Sequence, residues 1–160
     1  MMDFLLRGVR PGDEARVLEL VVELAVYERE PDAVKASVAD LTAAFFGVPA
    51  AAECLVAELG GEIVGIALHA RNFSTWTGKT GLYLEDLYVS PSARGMGIGR
   101  AMLVELARIA VARGYARFEW SVLDWNAPAI RFYESLGARM MDEWTVMRVD
   151  GEGLRALAAG

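Results

Sequence analysis

Apolar and polar positions follow two spacings along this chain, every second residue in some stretches and every third or fourth in others, and the changes of spacing mark its elements. Phe4 to Val9 reads as a short strand. Pro11-Gly12-Asp13 then turns the chain into a helix through about Glu28, with Asp13 at the N-cap and Val17, Leu20, Val21, Leu24 and Tyr27 or Glu28 as its apolar stripe. Ser37 followed by Asp40 resembles a capping box opening a second short helix, which stops at Gly47. Cys54 to Leu59 and Ile63 to His69, separated by Gly60-Gly61, form a hairpin. Leu82 to Val89 is a further strand closed by Ser90-Pro91, and a helix with Leu103, Leu106, Ala107, Ala110 and Val111 on one face runs from Gly97 to Gly114. Arg117 to Leu123 reads as a strand, Ala127 to Leu136 as a helix ending at Gly137, and Trp144 to Val149 as a last strand. Hairpins mixed with crossover helices predict an α+β fold, a central mostly antiparallel mixed sheet flanked by helices.

No period of 20 to 50 residues repeats, so residues 1–160 read as a single domain. A chain of this length buries roughly 68–70% of its unfolded surface and needs neither a disulfide nor a structural metal. It carries 16 basic residues, 14 of them Arg, against 22 acidic ones, a net charge of −6. That balance disfavours nucleic acid, which needs clustered positive charge, and favours small cations through the long-range field. An anionic ligand has to be held by a strong local site. The lone Cys54 lies in an apolar strand pattern and reads as core, and no run approaches 18 uncharged apolar residues. With no secretory signal recognised, the chain is expected to be cytoplasmic, with no membrane or nucleic-acid partner. One His and one Cys make a zinc site of ordinary composition improbable, and no metal is expected.

The sharpest local signal is Arg94 to Ala101, RGMGIGRA, between a β-branched strand and an amphipathic helix. Gly95, Gly97 and Gly99 let the backbone turn tightly and expose consecutive N–H groups, while the helix start adds about half a positive charge. Arg94 and Arg100 supply charge-assisted hydrogen bonds, so the loop reads as a pyrophosphate cradle. A dinucleotide fingerprint is excluded because the position of its third glycine holds Arg100 or Met102, and a Walker loop because no Gly-Lys-Ser/Thr is present.

The spacing Arg94-x-x-Gly97-x-Gly99 resembles the acetyl-CoA signature of the GNAT N-acetyltransferases. ELAVYE (23–28), YLEDLYV (83–89) and VLDWNAPAIRFYESLGA (122–138) extend the likeness to the spermidine/spermine and thialysine N-acetyltransferase branch. The resemblance implies a GNAT fold in which the strands Leu82–Val89 and Arg117–Leu123 splay around the cosubstrate's pantetheine arm. It implies that backbone groups of Leu87 and Val89 hold the acetyl and pantetheine portion, that the loop Arg94 to Arg100 holds pyrophosphate, and that Asn126 lies near the pantetheine arm. It also implies a homodimer.

The implied chemistry is direct acetyl transfer to a small primary amine, a polyamine, diamine or lysine-like ω-amine, in a ternary complex. Tyr133 matches the family tyrosine that donates a proton to the leaving sulfur, and a phenol of ordinary pKa about 10 is protonated for that task. Glu85 alternates with Tyr83, Leu87 and Val89, which puts a carboxylate on a face of large apolar groups, where it either relays the ammonium proton through water or binds the cation. Asp86 points the other way. Tyr27, Glu28 and Trp76 complete an acidic, aromatic pocket suited to an alkylammonium. Acetylation of a protein or peptide, and a non-catalytic acyl-CoA-binding module, stay open as alternatives.

Overall fold

A computed structural model describes residues 3–160, so the first two residues of the expected 1–160 domain lie outside the described residues. Its elements are β1 (Leu5–Gly8), α1 (Glu14–Tyr27), α2 (Val38–Phe46), β2 (Glu53–Leu59), β3 (Glu62–Ser74), β4 (Lys79–Val89), a 3-10 turn (Pro91–Ala93), α3 (Ile98–Ala112), β5 (Phe118–Trp120), α4 (Ala127–Ser135) and α5 (Gly151–Ala158). The chain divides into two compact units, one reaching to Ser121 and the other covering Val122–Gly160.

In the first unit the strands lie in sequence order, and every neighbouring pair is antiparallel except β4 with β5. This is the α+β mixed sheet that the pattern predicts. Gly60 and Gly61 both take positive φ, 59° and 85°, as a two-residue hairpin turn requires, and this fixes the β2–β3 register. One face packs on α1 and α2 through Val17, Leu20, Leu41, Phe45, Val56, Ile66 and Tyr88. The other face receives α3. Gly65 permits that approach, since a Cβ there would sit 3.3 Å from Met102 Sδ and 3.4 Å from Ile98. Just past α3, Arg113 forks onto Glu53 at 2.7 and 2.8 Å and ties the end of the helix to β2.

The capping box of α2 forms as read: Ser37 Oγ accepts the Asp40 N–H and the Asp40 carboxylate accepts the Ser37 N–H. Asp13 stands at the N-cap of α1 but caps nothing with its side chain. Its carboxylate instead accepts from Arg7 Nη1 and the Arg10 N–H, each at 2.7 Å, and Arg7 also reaches Glu58 at 2.9 Å. A charged donor outcompetes helix amides for one carboxylate. The guanidinium beside it holds Asp13 below the usual carboxylate range.

Several bounds differ from the pattern. β3 and β4 extend beyond the predicted Ile63–His69 and Leu82–Val89 into an arm, Asn72–Ser74 against Lys79–Gly81, whose mostly polar residues give no alternation to read. β5 holds only three of the seven residues expected. In the second unit Trp144–Val149 is not a strand, with Val146 81% and Met147 88% exposed. Strand preference describes fit to a pleated, half-buried surface, and none forms around these residues. The α5 helix that follows was not anticipated, because Gly151 and Gly153 hide its Leu154 and Leu157.

Leu20 is fully buried in the α1 core, whereas Val22 is 39% exposed. Leu20→Ala is expected to lower the unfolding free energy by about 2–5 kcal/mol. Val22→Ala is expected to change it by less than about 1 kcal/mol. Urea denaturation of both variants measures the difference.

Candidate functional site

β4 organises the first unit's candidate residues. It pairs with β5 only through Leu82, Leu84 and the Tyr83 between them, so from Glu85 to Val89 one edge of β4 has no strand beside it among the described residues. The ladder on its other edge decides what that open edge offers. Ser90 donates its N–H to Val64 O at 2.7 Å. Antiparallel residues turn alternately toward and away from their partner, so Ser90, Tyr88 and Asp86 face β3 while Val89 and Leu87 turn their N–H and C=O outward. Arg94 Nε already meets Val89 O from that side at 3.1 Å.

The register also carries a bulge. Leu68 pairs with Asp86 and His69 with Leu84, which leaves Glu85 opposite no residue. The strict alternation Tyr83, Glu85, Leu87, Val89 is therefore broken. The row Glu53, His69, Leu84 ends at Arg113 beside α3, and Leu87 and Val89 lie on that same α3 face, but Tyr83 lies on the opposite one. Tyr83 Oη instead shares a 3.1 Å hydrogen bond with Ser121 Oγ.

At the Val89 end the chain enters the glycine loop. Gly95 and Gly97 adopt φ of 80° and 81°, the left-handed region that a side chain resists, and Gly97 caps α3 with no side-chain acceptor for the first amides. A Cβ on Gly99 would meet only Val89 Cγ2 at 3.9 Å. Nothing in the protein demands glycine there, although glycine inside a helix costs roughly 0.5–1 kcal/mol. Ser90 Oγ, just before the loop, is buried and has no hydrogen-bond partner among the described residues. Arg100 is exposed. The Arg94 guanidinium sits over the rings of Tyr27 and Tyr88, 5.9 and 5.5 Å from their centroids.

On the α1 face lies an acidic group only part of which was legible in the sequence. Glu28 follows the end of α1, and burial pushes its carboxyl above the ordinary range. Asp86 points away from Leu87 and Val89, onto this face. Burial, then Glu85 and then Glu28 push its carboxyl up to about 6. Sequence reasoning passed over Asp86, whose place beside the apolar Leu68 shows only in the pairing of β3 with β4. Glu85 is exposed on the bulge, and Tyr88 Oη donates to Glu23 Oε1 at 3.3 Å. Trp76 lies at the tip of the β3–β4 arm, 80% exposed. The strand rise puts the tip about 20 Å from Glu85, so one copy of the chain does not bring the two together.

In the second unit Asn126 caps α4, its side-chain oxygen accepting the Ala129 N–H at 3.4 Å, and Tyr133 is half-buried about two turns further on, its ring centroid 5.6 Å from that of Phe132. Cys54 is buried in the core as read, and burial pushes its thiol up to about 12.

A carboxyl raised on folding favours the folded state while it is protonated, and that contribution disappears as pH rises through its folded value. Ionised Asp86 therefore costs stability on the order of 3 kcal/mol at neutral pH. Asp86→Asn is expected to raise the melting temperature at pH 7.5, with the gain vanishing near pH 4. Calorimetry across that range checks the sign.

Three comparisons bear on this geometry. Residues 16–138 match the model of the acetyltransferase (GNAT) family. A thialysine N-epsilon-acetyltransferase from Sus scrofa is 40% identical over 99% of both chains. Spermidine/spermine N(1)-acetyltransferase-like protein 1 from Homo sapiens is 34% identical over 97% of this chain and 24% of its own length. Among solved structures, an integron cassette protein from the mobile metagenome of V. cholerae superposes with a TM-score of 0.79 at 30% identity, covering 100% of both chains. An open strand edge that ends in an uncapped glycine loop is thus found in a chain that belongs to the GNAT acetyltransferase family.

Proposed function

We propose that this N-acetyltransferase moves an acetyl group from acetyl-CoA to the primary amine of a small cationic acceptor, a diamine or a lysine-like ω-amine, by direct attack in a ternary complex. The observation that carries this reading is the grouping of Glu28, Glu85 and Asp86 near one another, with no cation among the groups that shift Asp86. A chain of net charge −6 adds a favourable field for such an acceptor. The names of the thialysine and spermidine/spermine relatives support the same class.

The loop fits the cosubstrate's pyrophosphate. Gly95, Gly97 and Gly99 leave the first amides of α3 open, Arg100 and Arg94 supply charge, and the outward N–H and C=O of Leu87 and Val89 bind the pantetheine and acetyl portion. Bound acetyl-CoA supplies an activated thioester. Asn126 contacts the pantetheine arm, and Tyr133 donates its hydroxyl proton to the departing sulfur; the family resemblance of residues 122–138 supports both. Tyr27, Glu28 and Glu85 bind the acceptor, and Trp76 adds an aromatic wall from the second copy of a homodimer. Residues 1–160 act as one domain, as the family match running across Ser121 supports. We also infer a homodimer in the cytoplasm; no helix among the described residues is long and apolar enough to cross a membrane.

Acetyl-CoA is expected to raise the melting temperature and NADH to leave it unchanged. Gly97→Val should abolish the rise, because valine resists φ of 81° and crowds the backbone that meets phosphate. Equal stabilisation by both nucleotides rejects the cradle.

Free-thiol release with acetyl-CoA, measured against diamines, lysine-like amines and monoamines of equal length, tests the acceptor. The loss of one desolvated charge contact is worth about 1.5–3 kcal/mol, so kcat/KM for a diamine should exceed that for a monoamine roughly 10- to 150-fold. Glu28→Gln should erode the preference mainly through KM, since that contact is equally present in ground and transition states. Equal rates for both amines, insensitive to salt, reject the acidic pocket.

A further inference from the structure

We propose that Asp86 is the proton acceptor for the amine substrate, receiving the ammonium proton on the α1 face of the sheet. The inference rests on the acetyltransferase reading above and deepens it.

The bulge at Glu85 sets the geometry. Asp86 pairs with Leu68, and Leu68 packs on the α1–α2 core, so the Asp86 carboxylate lies on the α1 face. The next residue, Leu87, belongs to the α3 face, the one on which Val89 lies against Gly99 in the glycine loop. One peptide step along β4 thus separates the face on which Val89 meets Gly99 from the face that carries the carboxylate. At that same step the ladder to β5 has already ended. A thioester held along the Leu87 and Val89 backbone and an amine held on the α1 face meet at this open edge.

Of the three carboxylates, Glu85 is exposed to water on the bulge, and Glu28 stands after the end of α1. Asp86 is half-buried in the strand itself, and no hydrogen bond or ion pair holds its carboxylate among the described residues. The groups whose charge bears on it are Glu28 just after α1, Glu85 from its own strand and the Cys54 thiol across Leu68, while the cation on this face, Arg94, stands over the Tyr27 and Tyr88 rings and is not among the groups that shift Asp86. With its carboxyl raised to about 6, the ionised form dominates at neutral pH yet is more basic than an ordinary aspartate.

The step balances simply. An alkylammonium has no lone pair; one N–H bond breaks, an O–H bond forms on Asp86, and the electron pair stays on nitrogen. That pair forms the C–N bond of the amide as the C–S bond breaks. Of the two remaining N–H protons one is released to solvent as the amide forms, the sulfur leaves as thiol with the Tyr133 proton, Tyr133 regains a proton from solvent, and Asp86 returns the ammonium proton to water, so that one proton is released net.

Thiol-release kinetics against pH test this, with Asp86→Asn checked by melting for a folded chain that still gains stability from acetyl-CoA. For the unaltered protein, kcat/KM for a diamine should fall below about pH 6. Asp86→Asn should lower kcat about 100-fold or more and remove the acidic limb. Glu85→Gln should raise KM yet keep the limb. An acceptor of low basicity, already neutral at the assay pH, should recover at least about 10-fold of the rate lost in Asp86→Asn, which a merely structural or cation-binding role would not produce. An Asp86→Asn enzyme that keeps its kcat within about threefold, keeps the limb or gains nothing from the neutral amine overturns the role of Asp86 alone. Absence of thiol release by the unaltered protein with every amine overturns the acetyltransferase reading together with it.

Discussion

The site depends on a ladder that stops early. Backbone N–H and C=O groups inside a sheet are normally satisfied by the next strand, and a run left open must be met by water or a ligand. Here β5 accompanies β4 only as far as Leu84, while β4 continues five residues further with its other edge paired to β3 at every residue but Glu85. Because β3 holds that edge in register, the groups of Leu87 and Val89 have fixed directions before anything binds. The packing of α1 and α2 on one face and α3 on the other supports this rigidity, and the Arg113–Glu53 fork fastens the end of α3.

Electrostatics divide along the same strand. The chain is acidic overall, which works against an anionic ligand, so the loop after Val89 gathers its attraction locally from backbone amides, a helix start and two arginines. The acidic residues do the reverse: Glu85 and Glu28 lie close enough to disfavour the charge of Asp86. That arrangement costs stability and leaves the α1 face poised for a cation, the kind of compromise between folding and function that active sites commonly carry.

Where local chemistry was sufficient, the sequence could be read directly. Ser37 with Asp40 announced the start of α2, Gly60-Gly61 the first hairpin, and Arg94 to Ala101 the loop and the helix behind it, because each depends on a few adjacent residues. The bulge at Glu85 left no such mark, since it exists only in the pairing of β3 with β4, and with it went the face assignment of Tyr83. The polar arm beyond His69 was invisible for a related reason: two strands that pair chiefly with each other need no apolar face. Trp144–Val149 failed the other way, its alternation being a preference without a pleated surface to satisfy it. Asp13 was placed correctly and its partner was not, because Arg7 reaches it from another element.

The state of Cys54 bears on how the chemistry of this protein can be watched. Its thiol is enclosed between β2 and the α1–α2 core and donates only weakly, toward Leu55 O at 3.6 Å. With its pKa near 12, a fraction on the order of one in 10,000 is thiolate at pH 8, and disulfide-exchange and alkylating reagents attack only that form. The folded chain, which has no other cysteine, is therefore almost silent to thiol-reactive dyes. A colorimetric signal from such a dye reports the liberated cosubstrate thiol rather than the protein, and slow growth of a protein-derived signal would register unfolding.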